Sequence, residues 1–300
     1  MTRFTVDDRS DGSVVVSFDA RPILTYVYRS PVEQRESPRP FFHPMLTLSG
    51  EQVTQSRPED HVWHAGLSWS LPNVGAHNFW GGPTYVRDRG YVQLPNNGRV
   101  EHRGFTAFDA TDAAVEIEEQ LQWTAEDGRL VFTEKRRITV TADDDHWTLG
   151  FATVMRNVTG EGLRLGSPST EGRENAGYGG LFWRGPASME HGDVHAAGAD
   201  PGGRHDDAMG SRGEWMAYSS ERASIVMVDG DDNPRHPTPW FVRTDEYAGL
   251  CPAPFFAEAL DVPAGEMVRF RYSVVVADGR LDHGRAAALA RSTTAEKDRS

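Results

Sequence analysis

The chain has 300 residues, 31 of them basic and 44 acidic, for a formal net charge of −13. An acidic balance argues against a duplex nucleic-acid binder and against docking on anionic membranes, both of which need a basic face. No apolar run approaches the roughly 18 residues of a membrane span, and the single cysteine, Cys251, cannot form an internal disulfide, which fits a reducing compartment.

Residues 1–12 are polar and lack the apolar core of a signal peptide, so the sequence predicts a cytoplasmic protein. Residues 13–18 (SVVVSF) and 23–28 (ILTYVY) read as short β-branched or aromatic strands joined by a turn at residues 19–22. Residues 114–124 alternate with Val115, Ile117, Leu121 and Trp123 on one face, and Glu126-Asp-Gly128 marks a hairpin turn. The returning strand, 130–140, places Leu130, Phe132, Ile138 and Val140 on one face. Residues 187–211 have no period and read as a long surface loop. Strands at 147–155, 224–228 and 267–276, a turn at 263–265 and a short helix at 284–291 follow. Many short strands with turn signals, no internal repeat and no linker predict a single all-β domain over residues 1–291, a large β-sandwich. Residues 292–300 read as a frayed tail.

The hairpin carries charges on its apolar face. Glu134 and Arg136 share the even face of the second strand, and Glu119 the odd face of the first. Strand side chains alternate, so these groups point the same way as Trp123 and Phe132. A charge there is costly unless it is paired or faces a wet cavity. Two readings stand: Glu134 or Glu119 pairs with Arg136 inside the sandwich, or this face lines a polar ligand pocket.

Three stretches are dense in chemistry. Residues 39–104 hold RPFFHP, DHVWHAGL, NFWGG and GRVEHRGF, with His43, His61, Trp63, His64, Trp80, Glu101 and His102. Indoles stack on apolar C–H surfaces while imidazoles and carboxylates handle hydroxyls and protons, which suits a sugar or another small polar ligand. His61-x-x-His64 also has the spacing of a metal pair, so a divalent metal on His61 and His64 is a second reading of the same residues. The second stretch, EGRENAGYGGLFWRGP, presents Glu171, Arg173, Asn175, Tyr178, Trp183 and Arg184 on a glycine-rich loop. The third, DNPRHPTPWFVR, is stiffened by three prolines and presents Arg235, His236, Trp240 and Arg243. Cys251 has no nucleophile signature beside it and reads as buried.

Together these motifs resemble the bacterial PmoA-like family, whose automated label is "methane oxygenase PmoA". Members usually carry a further histidine two residues after the first one of the DHxxH segment; here that position is Trp63. The membrane-embedded monooxygenase subunit of that name spans the bilayer with several helices, which this chain lacks, so the label does not describe its chemistry. The resemblance implies a β-sandwich similar in outline to aldose mutarotases, working in bacterial carbohydrate catabolism.

The combined reading is a carbohydrate-active enzyme using acid–base chemistry on a sugar or oxidised glycoside, by epimerisation, elimination or hydrolysis. His61, His64 or His102 is the acid or base, with Glu101, Glu134 or Glu171 as partner. Arg173 and Arg184 clamp a carbonyl or carboxylate. Trp63, Trp80, Trp183 and Trp240 stack on the ring, and His43, Arg136, Asn175, Tyr178 and His236 are further contacts. The expected partner is a small carbohydrate, with a homo-oligomer open. A non-catalytic sugar-binding protein and a metal-dependent oxygenase are the alternatives.

Overall fold

A computed structural model describes residues 2–198 and 208–297. The first six strands are β1 (Phe4–Arg9), β2 (Ser13–Phe18), β3 (Arg21–Val27), β4 (Phe41–Met45), β5 (Leu67–Val74) and β6 (His77–Phe79). A small hairpin, β7 (Thr84–Val86) with β8 (Gly90–Val92), precedes four long strands: β9 (Arg99–Ala110), β10 (Ala114–Thr124), β11 (Leu130–Ala142) and β12 (His146–Asn157). Shorter strands follow as β13 (Leu163–Gly166), β14 (Gly180–Arg184), β15 (Asp193–Ala196), β16 (Trp215–Ser219), β17 (Ala223–Asp229), β18 (Trp240–Arg243), β19 (Gly249–Pro252) and β20 (Leu260–Val262). The chain closes with β21 (Met267–Asp278) and helix α1 (His283–Lys297).

The strands form two antiparallel sheets. The first runs β1-β2-β3-β4-β5-β14-β19-β18, with β6, β13 and β20 joined at its side. The second runs β15-β16-β17-β21-β12-β11-β10-β9. One continuous apolar core fills the space between them, drawing Val16, Tyr26, Phe42, Trp69 and Trp183 from the first sheet and Ile117, Trp123, Phe132, Trp147 and Phe151 from the second. The fold is the expected all-β sandwich.

Every strand expected from the sequence is present, most of them extended by a residue or two. Among the strands not foreseen are β1 and the twelve-residue β9. In β9 the alternation is lost because its pairing with β10 shifts register twice, between Glu118 and Glu119 and between Gln120 and Leu121. Each bulge swaps which residues face inward. The expected loop at 187–211 contains β15; its residues 199–207 lie outside the described part.

Of the expected frayed tail at 292–300, residues 292–297 are helical instead, and residues 298–300 lie outside the described part. Asp282 caps α1, its carboxylate accepting the Arg285 amide at 2.8 Å. Ala286, Leu289 and Ala290 recur at helical spacing and pack on Trp215, Val226 and Val275, on the outer face of the second sheet. Thr293 is buried, so the helix continues past Arg291 to Lys297.

The charges on the hairpin's apolar face are paired inside the sandwich. Arg136 stands directly opposite Glu119 across β10–β11. Its Nε donates to Glu134 Oε1 at 2.8 Å and its Nη1 to the Tyr26 hydroxyl at 3.1 Å. Glu134 also accepts from Trp123 Nε1 at 2.6 Å and Thr153 Oγ1 at 2.8 Å. Tyr26 bonds in turn to Glu119, whose other oxygen meets His102 Nδ1 at 2.7 Å. Glu134, Arg136 and His102 are thus structural, and the pocket reading of that face is wrong.

Candidate functional site

The site lies on the face of the first sheet turned away from the sandwich core. Strands β14, β18 and β19 are buried on both faces. Leu181, Trp183, Trp240, Val242 and Leu250 point into the main core. The alternate residues Phe182, Phe241 and Cys251 join Trp80, Tyr247, Trp63 and Tyr178 in a separate aromatic cluster. This parity decides two expectations. Trp183 and Trp240 are fully buried in the core, with indole N–H groups donating to the carbonyls of Val53 and Gly213, so neither stacks on a ligand. Their neighbours Phe182 and Arg184, and Phe241 and Arg243, face the site instead.

Above this cluster opens a cleft of about 300 Å³. His61, Trp63, Trp80, Arg173 and Tyr178, all foreseen, line it with Tyr91, Phe241, Arg243, Glu246 and Tyr247. Two consecutive tight turns shape the histidine segment: the His61 amide donates to Pro58 O at 3.1 Å and the His64 amide to His61 O at 2.9 Å. They bring the two imidazoles into a parallel stack, centroids 4.6 Å apart and planes 11° apart. Imidazole lone pairs lie in the ring plane, so parallel rings cannot both aim at one ion about 2.0–2.1 Å from each nitrogen. Among the described residues no three His, Cys, Asp or Glu side chains converge as a metal cage. The geometry therefore does not support the His61/His64 metal pair.

His61 enters the cleft from the chain Arg184–Asp60–His61; Arg184 is buried against Asp60 and is not part of the lining, so it does not clamp a ligand as expected. Arg184 Nη2 donates to both Asp60 oxygens at 3.2 and 3.1 Å. Asp60 Oδ2 meets His61 Nδ1 at 2.7 Å. Burial opposes ionisation of Asp60, but the hydrogen bond from His61 and the charge of Arg184 outweigh it and hold its pKa below the usual carboxylate value. An ionised Asp60 only accepts, so Nδ1 of His61 carries the proton and Nε2 is the basic atom.

His64 lies beneath and has a different character. It is buried against Phe182 at 4.8 Å and Trp80 at 5.6 Å. Its Nδ1 meets Arg184 Nη1 at 3.1 Å, and a guanidinium only donates, so this nitrogen is the acceptor. Burial above all, then the charges of His61, Arg184 and Arg39, push its pKa well below the ordinary histidine value. His64 is a neutral floor for the site.

The walls supply donors. Burial, with Tyr91 beside it, raises the Tyr178 hydroxyl well above the ordinary phenol value. Burial likewise pushes Tyr247 up to about 12. Both stay protonated. Tyr91 joins Tyr178 at 2.8 Å and accepts from Arg173, whose guanidinium lies 4.7 Å over the Tyr91 ring. Arg173 and Arg243 both line the cleft, and neither pairs with a carboxylate among the described residues.

Several expected site residues do not line this cleft. Glu101 pairs with Arg99 on β9, in the other sheet. His43 bonds Thr54 Oγ1 at 3.0 Å. His236 donates to the buried Asp229 at 2.8 Å and anchors the proline-rich loop. Glu171 belongs to the turn before Arg173 but is not part of the lining, and Asn175 sits at the margin. Cys251 is buried as expected, and burial pushes its thiol up to about 12. Asp60, Tyr91, Phe241 and Tyr247 carry the site without having been singled out. For Asp60 the signal was its place directly before His61; for Phe241 it was strand parity.

The fold and site define a two-sheet β-sandwich protein with an aromatic, arginine-rich cleft on one outer face. The chain belongs to DUF6807, a family of unknown function whose model matches residues 13–291. No curated protein matches it. Solved structures are similar at low identity. Galactose 1-epimerase from Lactobacillus acidophilus NCFM has TM-score 0.38 and 10% identity, covering 93% of this chain and 99% of that one. A galactose mutarotase related enzyme from Lactobacillus acidophilus has TM-score 0.36 and 11% identity, covering 93% and 99%. The alpha-galactosidase from Lactobacillus brevis has TM-score 0.37 and 10% identity, covering 93% of this chain and 39% of that one. Among the described residues no helix is long and apolar enough to cross a membrane.

Proposed function

We propose that the cleft binds a small sugar bearing a carbonyl or carboxylate and that His61 acts there as a general base. The carrying observation is the Arg184–Asp60–His61 chain, which fixes the tautomer of His61 and leaves Nε2 as its basic atom at a cleft walled by aromatic rings. Trp63, Trp80 and Phe241 offer flat apolar surface for the C–H face of a sugar ring. Arg173 and Arg243 offer two unneutralised guanidinium groups for an anionic or polarised oxygen. His61 Nε2 takes the proton from the carbon beside the carbonyl. The C–H electron pair moves into the adjacent C–C bond and the carbonyl pair onto oxygen, where the arginines hold the charge. Return of a proton to the opposite face of the carbon gives the epimer; departure of a substituent from the next carbon gives the eliminated product. The motifs shared with PmoA-like proteins support the same carbohydrate setting.

The test is incubation of the purified protein with uronic acids and keto-sugars in deuterated water. Exchange of the proton beside the carbonyl, lost in His61→Asn, is the expected result. Ligand binding with no exchange between about pH 5 and 8 would assign a binding protein instead.

A further inference from the structure

The cleft continues into a second compartment of about 310 Å³, lined by Asn175, Met209, Val242, Arg243, Thr244, Asp245 and Glu246. The two compartments share Arg243 and Glu246. Arg243 stands at the boundary, its Nη2 3.5 Å from Asn175 O and its guanidinium 5.3 Å from the Phe241 ring. The geometry points to a two-unit substrate: a glycoside whose acidic or carbonyl-bearing sugar lies in the first compartment and whose second, neutral sugar lies in the other. This rests on the functional reading above and specifies its substrate class.

The linings differ in chemistry. The first compartment joins aromatic faces to the two unpaired arginines. The second has no aromatic side chain among its described lining residues; to the shared Arg243 and Glu246 it adds Asp245, which also meets His191 Nδ1 at 3.4 Å, with the Asn175 amide and the Thr244 hydroxyl, so its carboxylates outnumber its one arginine. Carboxylates accept hydrogen bonds from the hydroxyl groups of a neutral sugar, but they repel a second anion. Each compartment stands near the lower end of the range for small-molecule sites, which suits one sugar ring apiece. A chain of two uronic acids therefore fits poorly, and a uronic acid linked to a neutral hexose fits well.

Calorimetric titration with glucuronic and galacturonic acid, cellobiouronic acid and digalacturonic acid tests this. Cellobiouronic acid is expected to bind at least tenfold more tightly than either single unit, and digalacturonic acid to show no such gain. In Asp245→Trp, which fills the second compartment from an exposed position, the gain is expected to shrink below twofold, with an unchanged melting temperature showing that the variant is folded. Single units that bind while cellobiouronic acid gains nothing would overturn the inference and leave the functional reading standing. If no uronic acid binds, the inference is overturned, and the functional reading is then decided by the deuterium exchange of keto-sugars alone. A gain that survives Asp245→Trp would also overturn the placement, as would an equal gain for digalacturonic acid.

Discussion

At the scale of single residues, the two histidines of one motif are driven apart in character by a few ångströms. His61 is half-exposed and hydrogen-bonded to an ionised carboxylate; His64 is buried under it beside a guanidinium. His61→Asn is expected to lower turnover about 10²–10⁴-fold, the usual worth of a positioned acid–base group, with ligand affinity changed much less. Asp60→Asn should act through His61: the amide can donate to Nδ1 and select the wrong tautomer, so kcat falls while KM holds. His64 makes a separate prediction about stability. Its folded pKa lies well below the ordinary value, so below about pH 6.5 the unfolded chain binds a proton that the native one refuses. Stability is therefore fully present above that pH and is lost as pH falls towards the folded pKa, at up to about 1.4 kcal/mol per pH unit from this group. Burial lowers His43 and His77 in the same direction. Denaturant unfolding at several pH values should thus show a slope that His64→Gln reduces without abolishing; an unchanged slope would contradict the assignment.

At the scale of elements, two pieces of the fold separate stability from binding. Strand β11 holds Glu134 and Arg136 in the core, where they bond each other and also Trp123 on β10, Thr153 on β12 and Tyr26 in the facing sheet. Arg136→Met leaves Glu134 buried without its cation and is expected to cost about 3–5 kcal/mol, whereas pairing it with Glu134→Leu should recover much of that loss. The β7–β8 hairpin is the opposite case. Among the described residues its strands pair only with each other, and Tyr91 links it to Tyr178 and Arg173. Tyr91→Phe keeps the ring under Arg173 but removes the hydroxyl. Ligand affinity should fall roughly twofold to tenfold, the worth of one hydrogen bond, with a melting temperature within about a degree of the parent. The strand patterns explain how much of this was legible. Alternation exposed the misplaced charges on β10 and β11, and the register pairs them. Alternation could also have placed the site: on β14 and β18 the residues next to the conspicuous tryptophans face the aromatic cluster and its cleft, and residue type drew attention to the wrong parity. Continuous apolar runs hide that parity, because strands buried on both faces show no polar side.

At the scale of the whole molecule, the path of the chain settles how it must unfold. Strands β1 to β6 build the first sheet, β9 to β12 the second, β13 and β14 return to the first, β15 to β17 to the second, β18 to β20 to the first, and β21 ends in the middle of the second. Neither sheet is a contiguous segment, so neither can form without most of the chain. The sequence shows no linker for the same reason: there is no point at which few contacts cross. The cleft depends on this weaving, since its walls come from segments near residues 60, 80, 91, 175 and 243 that meet only when β5, β14 and β18 share a sheet. No local motif could reveal that meeting; only the density of histidine, tryptophan and arginine hinted at it. Cooperative unfolding in a single transition is the consequence. Fully buried tryptophans report on both sheets, Trp69, Trp183 and Trp240 in the first and Trp123 and Trp147 in the second. Their fluorescence and the far-ultraviolet circular dichroism should therefore trace one coincident curve in denaturant, and a saturating cleft ligand should shift that whole curve by mass action. Two separated transitions, or a ligand that moves only one probe, would show that the sheets are independent units and that the site belongs to one of them.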